Sequence, residues 1–320
     1  MPRLLDFEAG LAPIEDEIKA LRAEDTTDEK AALERLRALN KKRAAAVKKI
    51  YAELDDWQTC QVARHPARPQ TLDYVRGLFS DFMELHGDRN FADDSAIVAG
   101  LAVFNGRSVA VIGQQKGHGT AERIKRNFGM AGPEGYRKAL RIMNLAEKFR
   151  MPLLTFVDTP GAYPGVGAEE RGQSGAIGMC LQRAATLQTP VLSAVIGEGG
   201  SGGALALAVG DYVGMLRYAV YSVISPEGCS SILWKSNGRM ADAAALLGLT
   251  AKKLKKLRLI DEIIDEAAGG AHRNIEQTVE SVGGALSAAL EKFDSMETGA
   301  LMQERRRRWR NYGKYSELRS

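Results

Sequence analysis

Two stretches of this 320-residue chain join an apolar run to a cluster of glycines, and they restrict the fold more than any other feature. In the first, Leu153–Val157 leads into Asp158-Thr159-Pro160-Gly161-Ala162-Tyr163-Pro164-Gly165-Val166-Gly167, with Glu169, Glu170 and Arg171 close behind. In the second, Val191–Ile196 leads into Gly197-Glu198-Gly199-Gly200-Ser201-Gly202-Gly203-Ala204 and then a small-residue helix, Leu205–Val209. A short apolar run bounded by glycine and proline reads as a buried strand. Proline fixes φ, and glycine lets the backbone come close to whatever it faces. Each stretch therefore predicts a strand, a rigid turn and a helix, with N–H groups held in fixed directions. The start of a helix leaves unpaired donors and the positive end of a dipole. Such a place suits an anion, or an oxygen that gains charge during a reaction. Close packing alone would explain one glycine turn. Two of the same build argue for a site made of backbone.

The familiar phosphate-binding patterns do not account for them. No Gly-Lys-Ser/Thr follows either turn, so a P-loop is not supported. The dinucleotide fingerprint lacks its early βαβ setting and the acidic residue about 20 positions on.

The surrounding sequence predicts an α/β protein. Apolar runs at Ile97–Phe104, Ser108–Gly113, Leu153–Val157, Val191–Ile196 and Val220–Ile224 alternate with helical stretches at Pro133–Arg150, Gln173–Gln188, Ala241–Leu247 and Lys252–Leu257. Asn105-Gly106 between the first two runs is the dipeptide of a tight hairpin. From Ile14 to Leu54 the chain is rich in Ala, Leu, Glu, Lys and Arg. Leu33, Leu36, Leu39, Val47, Ile50 and Leu54 recur there at helical spacing, and Thr27-Asp28 offers a helix start. This predicts a helical hairpin, with His65-Pro66 and Arg68-Pro69 as the linker after it. Asn274–Leu318 reads as an amphipathic helical tail with Trp309 and Tyr312 as packing anchors.

Composition excludes several classes. The 33 glycines sit in turns and not in a low-complexity tract, and the charged fraction of 26% is that of a globular protein. Cys60, Cys180 and Cys229 are odd in number and far apart, which fits a reducing compartment and forms no zinc ribbon. The acidic N-terminus is not a secretory signal and no run is long enough to span a membrane, so a cytoplasmic location is expected. The net charge is +4, and Arg305 to Arg308 with Arg310 form a basic run. Its plain reading is a solvated helix face, with a nucleic-acid patch as the minority reading.

Longer motifs make a family resemblance. Asn127-Phe128-Gly129-Met130 with Pro133-Glu134-Gly135-Tyr136-Arg137-Lys138-Ala139, the stretch Asp158–Gln173, Gly197–Ala204, Ser225-Pro226-Glu227-Gly228-Cys229 and Gly269-Gly270-Ala271-His272-Arg273 together resemble the α subunits of bacterial acetyl-CoA carboxyltransferases. The similarity covers nearly the whole chain. It departs at Gly117-His118-Gly119-Thr120-Ala121, where the family more often has Arg and Lys in place of His118 and Ala121, and at Asp265–Ala268, which lacks the family's prolines.

The resemblance implies a crotonase-like (ClpP/crotonase) spiral of ββα units, with an N-terminal helical hairpin over residues 1–70, a carboxyltransferase domain over 71–272 and a helical tail over 273–320. It implies transfer of a carboxyl group from carboxybiotin, carried on a biotin carboxyl carrier protein, to acetyl-CoA, giving malonyl-CoA for fatty-acid synthesis. Expected partners are a zinc-ribbon β subunit in an α2β2 assembly and a biotin carboxylase that consumes the ATP, with no metal in this chain. Gly202 and Gly203 are the first choice for the biotin oxygen. Gly161 and Ala162, or Gly165 and Val166, are the second. Gly199, Gly200, Glu198 and Arg171 are expected to border the cofactor. His272 is expected to be a hydrogen-bonding structural residue and Cys229 a small buried one, with Glu198 and Glu169 in positioning roles. Two competing readings are a stand-alone hydratase or decarboxylase of the same fold, which needs a free side-chain acid or base, and a binding scaffold that uses the basic run.

Overall fold

Strands as apolar as Leu153–Val157 need cover on both faces, and this requirement organises the molecule. The computed structural model describes residues 3–23, 28–236 and 238–313. Helices α1 (Ala12–Ala23), α2 (Glu29–Ala52), α3 (Asp56–Ala63) and α4 (Thr71–Leu78) come first. Strands β1 (Ser80–Glu84), β2 (Ile97–Phe104) and β3 (Arg107–Gln114) precede α5 (Gly119–Lys125) and α6 (Pro133–Lys148). Then follow β4 (Leu153–Thr159), α7 (Val166–Glu170), α8 (Gln173–Thr186), β5 (Val191–Gly200), α9 (Ser201–Ala208) and β6 (Tyr212–Leu216). The remainder is β7 (Val220–Ser222), α10 (Pro226–Trp234), α11 (Met240–Leu247), α12 (Ala251–Lys256), β8 (Glu262–Ile264), α13 (Ile275–Asp294) and α14 (Thr298–Arg310).

The strands lie in the order β1-β2-β3-β4-β5-β6-β8, and β7 pairs with the far end of β5. β1, β2 and β3 are antiparallel neighbours, and from β3 onward the pairing is parallel. The β2–β3 turn is the expected one, with Asn105 at φ 49° and Gly106 at φ 76°. Successive strand residues point to opposite faces, and β4 shows what covers each. Thr155 donates its hydroxyl to the Leu207 carbonyl of α9 at 2.7 Å, while the Phe156 ring stacks on Tyr74 of α4 with centroids 5.6 Å apart. Leu153, Leu154, Phe156 and Val157 are wholly buried, and each such side chain contributes on the order of 2 kcal/mol. α13 also lines this core through Val279, Val282, Leu286 and Leu290. β1, β6 and β8 escaped the sequence reading, because strands of three to five residues barely establish a period.

The N-terminal hairpin forms as expected. Ile14, Ile18 and Leu21 of α1 pack on Leu39 of α2, and Asp28 caps α2 by accepting from Ala31 N at 3.0 Å. Thr27 lies outside the described residues, and Leu33 is 48% exposed. The predicted linker is not one. Arg68 is buried, donates to the Ile196 carbonyl at 2.7 Å and grips Glu266 through two 2.7 Å bonds, so this segment is threaded into the fold beneath β5. Nearby, buried Glu8 receives Tyr51 Oη at 3.0 Å and Arg273 Nη2 at 2.5 Å. His65 donates from Nε2 to the Arg3 carbonyl at 2.8 Å and stacks on His272 with centroids 3.8 Å apart. Neither ring nitrogen of His272 has a hydrogen-bond partner among the described residues, which corrects the expected role. Burial pushes His272 down to about 3, aided by His65, Arg273 and Arg68, so it packs as a neutral ring.

The basic run is also reassigned. Arg305 is 1% exposed. It pairs with Asp211 through Nε at 2.7 Å and Nη2 at 2.6 Å, and it donates to the carbonyls of Ala184, Leu187 and Thr189. Arg308 donates to Asp261 at 2.7 Å and to the Asp211 carbonyl at 3.0 Å. Two of these arginines are internal latches for α14, while Arg306, Arg307 and Arg310 face solvent. The helix ends at Arg310, and positions 314–318 of the expected tail lie outside the described residues. Arg305→Met would leave Asp211 buried and unpaired. Urea denaturation should show a loss of about 3–5 kcal/mol, against about 0.5 kcal/mol or less for Arg306→Ala or Arg307→Ala.

Candidate active site

β4 and β5 are adjacent and parallel, so both glycine-rich ends open at the same edge of the sheet. The second is not a turn throughout. Glu198, Gly199 and Gly200 are still strand, paired with Val220, Tyr221 and Ser222 of β7, and Gly199 also pairs with Thr159 of β4. The helix therefore starts at Ser201 and not at Leu205. Ser201 takes φ 49° at this junction, which bends the chain sharply from strand into helix.

The two ends pack backbone against backbone. A Cβ on Gly200 would collide with the Pro160 carbonyl, and one on Gly203 would lie 2.5 Å from Ala162 N and 2.7 Å from the Gly161 carbonyl carbon. Only glycine permits this approach. Gly202 differs: a methyl there would meet nothing nearer than Ile177 at 3.8 Å. The first-turn N–H groups of Ser201, Gly202 and Gly203 have no acceptor within their own helix. Gly161 N–H is already engaged by Thr159 Oγ1 at 3.1 Å, which leaves Ala162 as the freer donor of that pair. Gly165 and Val166 stand further on as the cap and first residue of α7, a helix of five residues, with Val166 76% exposed.

Charged groups brace the two ends from within. Lys116 Nζ lies 2.8 Å from Asp158 Oδ1 and 2.6 Å from Glu198 Oε2. Arg64 binds the other Glu198 oxygen at 2.5 Å and reaches Glu227 at 2.5 Å. Asp158 Oδ1 also accepts from Glu198 N at 2.9 Å. Burial alone would raise Glu198, but Lys116 and Arg64 outweigh it and hold the carboxyl down to about 2. Opposite charges likewise keep Lys116 above the ordinary lysine range against its burial.

Gln114 joins the ends directly. Its amide donates to the Gly203 carbonyl at 2.9 Å and accepts from Asp158 N at 3.0 Å. Gln114, Lys116 and Arg64 escaped the sequence reading. The available signal was a polar run, Gln114-Gln115-Lys116, at the exit of an apolar strand.

The remaining candidates are placed as follows. Gly199 is buried and Gly200 half-buried at the end of β5. Arg171 pairs with Glu134 at 2.7 Å, with its guanidinium over the Phe91 ring at 4.8 Å. Glu169 is exposed on α7, and Cys229 is buried on α10 as expected. His118 is exposed and pairs with Asp73 at 3.0 Å. Beside the start of α9 opens a largely apolar cavity of ≈ 520 Å³, bordered by Ser201, Gly202, Leu205, Tyr221, Trp309 and Tyr312. Its size suits a small ligand.

Comparison with known proteins is consistent along the whole chain. A family model described as "Acetyl co-enzyme A carboxylase carboxyltransferase-like" matches residues 4–313. The acetyl-coenzyme A carboxylase carboxyl transferase subunit alpha of Thioalkalivibrio sulfidiphilus is 58% identical over 316 residues, covering 99% of both chains. The same subunit of Nitrosomonas eutropha is 58% identical over 314 residues, covering 97% of both. Among solved structures, the transcarboxylase 12S core is similar with a TM-score of 0.53 and 21% identity, over 68% of this chain and 42% of that one. The β subunit of Pseudomonas aeruginosa geranyl-CoA carboxylase has a TM-score of 0.56 and 18% identity, over 78% of this chain and 46% of that one. These two structures speak for the fold.

Two outcomes follow from the packing and the charges. Gly203→Ala should destabilise the protein by about 1–3 kcal/mol through overpacking, whereas Gly202→Ala should stay within about 1 kcal/mol; thermal unfolding separates them. Because the folded pKa of Glu198 is depressed, its contribution is present above about pH 4.5 and is lost as pH falls toward about 2. Glu198→Gln should therefore be less stable at pH 7, yet lose stability less steeply across that acid window. Denaturation at a series of pH values measures both.

Proposed function

The chain belongs to the acetyl-coenzyme A carboxylase carboxyltransferase family as an α subunit, and on that premise we propose that its two glycine ends form the oxyanion-binding half of the site that moves a carboxyl group to acetyl-CoA. The fold is the crotonase-like α/β architecture, and the activity is carboxyl transfer within acetyl-CoA carboxylase. The observation that supports this reading is the backbone contact of α9's first turn with Pro160–Ala162, beside an apolar cavity that Ser201 and Gly202 border.

Carboxybiotin, when bound, supplies the carboxyl group. The residues present fit it: the first-turn N–H groups of α9, those of Gly202 and Gly203 among them, would serve as donors to a polar urea oxygen, and Leu205, Tyr221 and Trp309 give apolar walls to the cavity that Gly202 borders. Ala162 is the second donor, with Gly161, Gly165 and Val166 behind it. Gly199 and Gly200 shape the strand end, while Glu198 holds that end in place and Arg171 holds the α7 loop to α6. A single preorganised donor lowers a transition state that gathers charge on oxygen by about 3–4 kcal/mol. It does so without any side-chain nucleophile.

The stand-alone hydratase reading needs a carboxyl poised near neutrality. Glu198 is held at about 2 by two cations, and Asp158 is tied to Lys116. The scaffold reading loses Arg305 and Arg308 to internal pairs. Proton removal from the acetyl group is accordingly assigned to groups outside this chain.

As an α subunit the chain works in a multi-subunit complex. We assign its partners as a zinc-ribbon β subunit in an α2β2 assembly, a biotin carboxyl carrier protein and a biotin carboxylase. Residues 1–70 are proposed as the helical extension, 71–272 as the carboxyltransferase domain and 273–320 as the tail, with α13 contributing to the domain's core. No helix among the described residues is long and apolar enough to cross a membrane, in keeping with a proposed cytoplasmic location. Malonyl-CoA formation from acetyl-CoA and carboxybiotin should appear when the chain is combined with its β subunit and stay at background without it. Equal activity in the isolated chain would overturn the half-site reading.

A further inference from the structure

We propose that Gln114 is a positioning residue for carboxyl transfer, a clamp whose side-chain amide sets the aim of the α9 donors by tying them to the end of β4. The proposal rests on the reading of α9's first turn as the oxygen-binding element. Gln114 is wholly buried at the last position of β3. Its Nε2 donates to the Gly203 carbonyl at 2.9 Å, and its Oε1 accepts from Asp158 N at 3.0 Å. The orientation of the amide is dictated by chemistry, since a carbonyl faces one end and an N–H faces the other.

The clamp is itself anchored. Gln114 pairs with Ile97 across the β2–β3 hairpin, and its own carbonyl accepts from Thr71 Oγ1 of α4 at 2.5 Å. The charged brace through Lys116 acts elsewhere, at Asp158 and Glu198, before the helix begins. Gln114 reaches into the helix. Holding the Gly203 carbonyl fixes the tilt of the first turn, and with it the N–H groups of Gly203 and Gly202, one and two peptides away. Donors of this kind must be held within about 0.5 Å and 10–20° of their productive position, and a shift of about 1 Å costs on the order of 10²-fold in rate.

The test uses the full-length chain assembled with its β subunit. Gln114→Met keeps the volume and removes both hydrogen bonds. It should lower kcat by about 10- to 100-fold while leaving KM for acetyl-CoA within about twofold and the complex assembled. Gln114→Glu keeps the acceptor for Asp158 N but sets a carboxylate oxygen against the Gly203 carbonyl; once protonated, its O–H replaces the lost donor. Its activity relative to the parent should therefore rise as pH is lowered from about 8 to about 6, the range into which burial lifts a carboxyl. The same ratio for Gln114→Met should stay flat. A parent-like kcat in Gln114→Met, or a Gln114→Glu ratio that does not change with pH, overturns the clamp. Gly203→Ala measured alongside separates the two claims. Normal turnover in that variant removes α9's first turn from the site altogether. Loss of turnover there, with parent-like Gln114 variants, removes only the clamp.

Discussion

The contact between Gly200 and Gly203 on one strand end and Pro160–Ala162 on the other is the constraint on which the rest of the site depends. Backbones this close leave no room for a Cβ at either glycine. The contact exists because β4 and β5 are parallel neighbours that finish at the same level, with Thr159 opposite Gly199. Parallel pairing in turn needs helical crossovers and cover on both faces, which α4, α6, α9 and α13 provide. A protein built this way can hold amide donors rigidly and does not need side chains for the purpose.

Rigidity of the ends is bought with paired charges, of which Asp158 and Glu198 are buried and Lys116, Arg64 and Glu227 half-buried. Lys116, Asp158, Glu198, Arg64 and Glu227 form a chain of opposite charges under the strand ends, and Arg68 ties the Ile196 carbonyl to Glu266. Such groups are stable in the interior when every partner is present, and removing one partner exposes the full cost of burying the other. The same device fastens the periphery. Glu8 with Arg273 secures the N-terminal helices, and Arg305 with Asp211 secures α14.

This arrangement explains why the chain looks incomplete as an enzyme. The proposed donors would stabilise charge on oxygen, yet the carboxylates braced beneath them, Asp158 and Glu198, are paired with Lys116 and Arg64. Carboxyl transfer to a carbon acid such as the acetyl group needs a proton acceptor as well as oxygen-binding donors. On the proposed reading this chain supplies the second function, and the first comes from outside it.

The residues that local chemistry governs could be read from the sequence: the Asn105-Gly106 hairpin, the buried apolar runs, the Asp28 cap and the paired glycine clusters. Those patterns, with the longer family motifs, were enough to reach the fold and the reaction class. Short strands such as β1 and β8 were not readable, because three to five residues scarcely show a period and their pairing comes from distant segments. The fates of charged residues were not readable either. Arg305 and Arg306 are neighbours of the same type, and tertiary packing alone buries one against Asp211 and leaves the other in water. Gln114 and Gly203 stand 89 positions apart, and a hydrogen bond between them has no sequence signature. Periodicity and turn chemistry act within a few residues and so are written locally; the placing of α9's first turn against Pro160–Ala162 depends on contacts between remote segments, and only the folded chain decides it.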